Sequence, residues 1–203
     1  MNSIPTQAIL DLWFGSCAEH PEDIPDYSGM WFVGGTAFDN ALRDGFLTSL
    51  RQAAGEPAWN GKDIHERLAR ILLLDQFSRN IYRGTAAAFA TDPLALKLCL
   101  DTINSAQDRA LTPIERSFLA MPLQHAEHRE MQVRSVAYFS RLIDIARHPE
   151  EEKSLRGNAE YAKQHADIFN RFGRFPHRNA LLGRPSTDAE NAYLNTGAPR
   201  FGQ

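Results

Sequence analysis

The sequence predicts an all-α fold, a single domain over residues 1–203 of about eight helices packed antiparallel. Three observations carry this. Apolar residues recur at spacings of three and four along most of the chain, the period that gives a helix one buried face. Helix start and stop signals punctuate those runs at short intervals. The two-residue alternation of a half-buried strand is absent.

Ile9, Leu10, Leu12 and Trp13 follow Pro5 and form a short first helix, ended by Gly15. Residues 16–35 are rich in Pro, Gly and Asp and read as a long loop. Thr36 and Asp39 have the spacing of a capping box. Phe38, Leu42, Phe46 and Leu50 then repeat every four residues, and Gly55 closes that helix. The next helix starts near Asp63, carries Ile64, Leu68 and Ile71 to Leu74, and ends by Gly84. Asp92-Pro93 reads as a cap followed by a first-turn proline, opening a helix through Leu100 and Ile103. Thr112-Pro-Ile-Glu115 is a full capping box, and its helix runs into Pro122, which should kink or break it. A long helix follows, with Val136, Phe139, Leu142, Ile143 and Ala146 on one side. Pro149 and the acidic run Glu150 to Glu152 start another at its electropositive end, running through Tyr161, Ile168 and Phe172 to Gly173. Thr187 and Glu190 cap a last short helix. No fixed repeat period is readable.

The totals bound the function. Hydrophobic residues are 43% and charged residues 23%, the balance of a soluble globular protein. No apolar run is long enough for a membrane span, and Met-Asn-Ser-Ile-Pro lacks the basic start of a leader, so the cytoplasm is the expected compartment. A net charge of −3 argues against nucleic acid as a partner. Cys17 and Cys99 are far apart, and Cys99 packs as a small hydrophobe; no disulfide is expected in a reducing compartment. The basic residues are 18 arginines against 4 lysines, and arginine grips planar anions at two points. No cofactor and no metal are expected: His125 and His128 stand three apart on a helix, but no carboxylate follows at matching spacing. Glu127 and Glu130 read as a solvated face, and Trp13-Phe14 and Trp31-Phe32 as core anchors.

Polar residues interrupt three apolar faces. Ile71-Leu-Leu-Leu74 is apolar all round, and Asp75 follows directly with Arg79 one turn on as its natural partner. Phe118, Met121 and His125 share a face, as do Tyr161, His165, Ile168 and Phe172. Residues 171–184 interleave four arginines, His177 and Asn179 with Phe172, Phe175, two glycines and Pro176. Gly173 and Pro176 fix the shape of that segment, and its two phenylalanines anchor it to the core.

The runs Leu10-Asp-Leu-Trp-Phe-Gly15, Leu74-Asp-Gln-Phe-Ser-Arg-Asn-Ile-Tyr-Arg-Gly84, Met121-Pro-Leu-Gln-His-Ala-Glu127, Arg171-Phe-Gly-Arg-Phe-Pro-His-Arg-Asn179 and Leu182-Gly-Arg-Pro-Ser-Thr187 resemble the bacterial family catalogued as domain of unknown function 924. The likeness covers nearly the whole chain. It implies an all-α fold similar to tetratricopeptide-repeat domains without their repeat consensus, and it implies no activity. His128 departs from the family pattern, which has an acidic residue there.

Three readings of the motif residues stand side by side. In the first they form a polar pocket for a small anionic ligand, with or without catalysis. Arg79, Asn80, Arg83, Arg174, Arg178 and Asn179 hold a carboxylate or phosphate there. Asp75, His125, His165 and His177 are the catalytic candidates, Asp75 orienting an arginine or histidine and His165 or His177 acting as acid or base. In the second, the helices form a groove for a peptide or protein partner. In the third, the motifs are purely structural, and Asp75 pairs with an arginine of residues 171–184 instead of Arg79. The oligomeric state is open.

Overall fold

Nine helices follow one another in the computed structural model, which describes residues 4–56, 59, 61–197 and 201, and no strand occurs among the described residues. The first three residues, part of the start read as lacking a leader, lie outside the described residues. Helix α1 (Thr6–Trp13) buries Ile9, Leu10 and Trp13. Gly15 follows it in a left-handed conformation at φ 49°, and a Cβ there would meet the Tyr27 hydroxyl at 2.0 Å.

The segment 16–35 is not a loop: it holds α2 (Ile24–Phe32). Pro25 sits in the first turn, where no N–H is needed, and Trp31 buries its indole and donates from Nε1 to the Trp13 carbonyl at 2.8 Å. The long helix α3 (Thr36–Gly55) starts from Gly35, so the expected Thr36–Asp39 box does not form. The Asp39 carboxylate instead accepts from Asn80 and Arg83, more than forty residues away in sequence.

Ile64–Ile71, Leu72–Phe77 and Ser78–Ile81 form one continuous helix, α4, capped by the Asp63 carboxylate on the Glu66 N–H. Its middle stretch is a π-helical turn: the Ser78 N–H donates to the Leu73 carbonyl, five residues back. Helix α5 (Asp92–Asn104) takes Thr91, not Asp92, at its cap position, which leaves the Asp92 carboxylate for Arg79.

Helix α6 (Pro113–His125) is the centre of the molecule. Its capping box forms as the sequence predicts, and every residue in it except Arg116 is buried. Pro122 does not break it. Helices α7 (Arg129–Ile143) and α8 (Pro149–Phe172) pack as a hairpin across a short connection, and both lie on α6. Gly173 ends α8 in the left-handed conformation at φ 70°. Helix α9 (Asp188–Leu194) carries its predicted capping box from Thr187 and Glu190.

Phe118 of α6 ties the bundle together. Its ring meets Trp13, Phe14 and Trp31 edge-on at 5.5, 5.5 and 4.8 Å. Losing a ring so enclosed costs about 3–5 kcal/mol. Among the described residues no helix is long and apolar enough to cross a membrane.

Candidate functional site

The π-helical turn of α4 is where site and fold meet. A wide turn frees backbone carbonyls, and buried carbonyls need donors. Leu74 O accepts from Ser78 Oγ at 2.7 Å and Thr91 Oγ1 at 2.6 Å, and Asp75 O accepts from Arg79 Nη1 at 2.6 Å. The extra residue in the turn turns Gln76, Arg79 and Asn80 toward a cavity of about 340 Å³. Met121, Gln124 and His125 of α6 form a second wall, and Asn158, Tyr161 and His165 of α8 a third. Trp31 to Gly34, Arg83 and Phe201 complete it.

Behind this wall sits Asp75, with no exposed surface. Its Oδ1 lies 2.8 Å from His125 Nδ1 and 3.1 Å from Arg79 Nη1, and Oδ2 accepts from Gln76 at 2.5 Å. Burial alone pushes its carboxyl up, but Arg79 and His125 outweigh that and hold it well below the usual carboxylate range. Burial, and then the Arg79 charge, push His125 down, and Asp75 offsets this only in part. At neutral pH the pair is therefore a carboxylate accepting from a neutral imidazole. Nδ1 carries the hydrogen, and the lone pair is on Nε2.

His165 repeats the pattern with a different acceptor. Its Nδ1 donates to the Tyr161 carbonyl at 2.8 Å, so its Nε2 also carries a lone pair. Burial first, then the His125 charge, hold it well below its ordinary value. The two rings stand 5.8 Å apart, edge to face. Phe201 lies flat on His165 at 3.8 Å.

The arginines are paired with carboxylates. Arg79 grips Asp92 with both Nη groups at 2.9 and 3.0 Å. Arg83 holds Asp39 through Nε at 2.7 Å and Nη2 at 3.0 Å, and Asn80 donates to the same carboxylate at 2.9 Å. Burial raises the Asp39 carboxyl, and these two donors bring it below its ordinary value. Arg178 is buried between the rings of Phe89 and Phe175, each 4.7 Å away, and reaches Asp92 at 3.4 Å. Burial, with repulsion from Arg79, lowers it to about 10.

Of the predicted site residues, Arg79, Asn80, Arg83, His125 and His165 line the cavity, and Asp75 stands directly behind it. The expected Asp75–Arg79 pair forms. Arg178 and His177 lie behind the wall. His177 packs on Phe175 and Phe201, and burial and then the Arg178 charge lower it to about 3. Arg174 and Asn179 do not reach the cavity. Arg174 forms a two-point pair with Glu190 at 2.6 and 2.7 Å, and Asn179 holds Ser186 and Arg184. Residues 171–184 are tied down by Glu127, which accepts from Arg184 at 2.5 and 2.9 Å and from the Phe175 N–H at 2.7 Å.

Glu127 is thus no solvated face, and its motif position two residues after His125 was the available signal. Phe32 is 45% exposed at the mouth of the cavity and not a core anchor. His128 is the cap residue of α7, beyond the end of α6, so His125 and His128 do not share a helical face. Among the described residues no group of three His, Cys, Asp or Glu side chains is placed to hold a metal. Gln76, Gln124 and Asn158 were missed as lining residues, although Gln76 and Gln124 lie inside the quoted motifs. Burial raises the Cys17 thiol to about 12 and Cys99 further, so neither is a nucleophile at neutral pH.

The family model described as "Bacterial protein of unknown function (DUF924)" matches residues 9–198. A solved structure of a protein of unknown function from Agrobacterium tumefaciens is 35% identical, with a TM-score of 0.67, over 95% of this chain and 97% of that one. None of the curated proteins compared matches the chain. The chain belongs to the DUF924 family.

Proposed function

We propose that this DUF924 member uses the cavity as a small-molecule site, and that His125, oriented by Asp75, is the group that accepts a proton from the bound compound. The observation that carries the reading is the 2.8 Å bond from His125 Nδ1 to a fully buried carboxylate, with the ring itself on the cavity wall. A carboxylate behind an imidazole fixes its tautomer and stabilises the imidazolium formed when Nε2 takes a proton. Arg79, locked between Asp75 and Asp92, holds that carboxylate ionised and in place. A volume of about 340 Å³ suits a small compound. Arg174, Asn179, Arg184 and Glu127 act as structure, fixing the segment against which the site is built. Two buried free thiols are compatible with a reducing compartment, and we place the site of action in the cytoplasm.

A thermal-shift screen over small metabolites, wild type against His125→Gln, tests this. Compounds that raise the wild-type melting temperature should lose that effect in the variant. Equal shifts in both proteins contradict the assignment.

A second reading has one supporting observation. Phe32, Val33 and Tyr161, at the mouth of the cavity, are 45%, 80% and 43% exposed. Such a rim suits a peptide side chain entering the cavity. Capture of the same partners by wild type and by Phe32→Ser, Val33→Ser protein counts against it.

A further inference from the structure

We infer that the compound this cavity takes is an uncharged hydrogen-bond donor with a flat apolar face, and not the anion that the arginine-rich motifs suggest. The inference rests on the reading of the cavity as a small-molecule site and narrows it to a ligand class.

Charge comes first. Arg79, Arg83 and Arg178 stand against Asp39, Asp75 and Asp92, three cations against three anions, each cation in contact with at least one carboxylate. An anion entering here finds no net positive field, and gripping either cavity arginine would displace a carboxylate that is already bound at two points. A cation fares no better, since Arg79 lies on the same wall.

The polarity of the unpaired groups decides the rest. Three of the wall's amides already donate within the protein: Gln76 to Asp75, Asn80 to Asp39 and Asn158 to Ser117. The two imidazoles on the wall offer acceptors. Both imidazoles spend Nδ1–H inside the protein, leaving Nε2 of His125 and of His165 as lone pairs without a partner among the described residues. A carboxylate or phosphate set against these two lone pairs is repelled, and it leaves both unmatched. A hydroxyl or an amide N–H supplies what both lack.

The apolar half follows from the rings. Trp31, Phe32 and Tyr161 form one side, and Phe32 stacks on Tyr161 with their planes 18° apart. Phe201 lies on His165 at 28° between planes, so this wall already accepts a flat ring.

Benzamide, benzoate and benzylamine share a ring and differ in head group: neutral donor, anion and cation. Each is titrated into the full-length protein at pH 7.5, reading the Cε1–H resonances of His125 and His165 and the dissociation constant. Benzamide is expected to move both resonances and to bind at least about tenfold tighter than the other two, and about tenfold weaker to His165→Phe. Benzoate or benzylamine binding as tightly as benzamide overturns the ligand class and leaves the small-molecule site standing. Unchanged benzamide affinity in His165→Phe overturns the acceptor argument. If no probe moves either resonance up to its solubility, the site assignment itself falls, and this inference with it. The probe comparison is made in the wild type, so it does not depend on a variant folding.

Discussion

Replacing Asp75 by Asn keeps the shape of the side chain and removes its charge. Three partners then lose their carboxylate: His125 at 2.8 Å, Arg79 at 3.1 Å and Gln76 at 2.5 Å. Breaking a buried charge pair from one side costs about 3–5 kcal/mol, and Arg79 keeps Asp92 here, so the lower end applies. In a domain of this size that is a fall in melting temperature of roughly 6–12 °C. The deficit has a pH signature. Folding depresses the Asp75 carboxyl, so its contribution is present above the unfolded value near about 4 and is lost only as pH falls through the folded value. Urea unfolding of both proteins at pH 8, 7, 6 and 5 should therefore give a constant difference of about 3 kcal/mol. A difference below about 0.5 kcal/mol refutes the claim that Asp75 holds the site together.

Three further predictions follow from the same geometry. Glu127→Gln weakens the tether to Arg184 and Phe175, so amides of residues 175–184 should exchange faster while those of α1 and α4 do not change; uniform acceleration contradicts a local role. Folding lowers His125, His165 and His177, so below about pH 6.5 the unfolded chain binds more protons than the folded one, and stability should fall with pH at up to roughly 1.4 kcal/mol per unit for each histidine. For His177 that window extends to about pH 3, and His177→Phe should make the slope shallower by one proton; a flat profile from pH 7 to 5 contradicts the burial of neutral rings. Gly15→Ala should cost more than Gly173→Ala in urea unfolding: both positions are left-handed, at about 1–2 kcal/mol each, but only at Gly15 would the new methyl strike Tyr27.

What was legible in the sequence is what is decided locally. The boxes Thr112–Glu115 and Thr187–Glu190 and the left-handed Gly173 each depend on residues within four positions, and all three form. The misreadings came where a distant partner outbid a local one. Thr36–Asp39 has box spacing, but Asn80 and Arg83 claim the Asp39 carboxylate; Asp92 has cap chemistry, but Arg79 and Arg178 claim it. Helix α2 was hidden by a proline and a glycine that happen to fall where a helix tolerates them. At the site, polar residues on apolar faces identified Asp75, His125 and His165, because a buried polar group must find partners. The pairing of the arginines was hidden for the converse reason: their charge is visible in the sequence, whereas the carboxylates that neutralise it are scattered from residue 39 to residue 190.

The central claim is that Asp75 presents His125 to the cavity as a neutral imidazole with its lone pair on Nε2. Long-range proton–nitrogen NMR of the His125 ring between pH 5 and 8 reads this directly. The account predicts the Nδ1–H tautomer at pH 7 and 8, with any midpoint below the ordinary histidine value. An Nε2–H tautomer at pH 7, or a midpoint close to about 6.5, contradicts it.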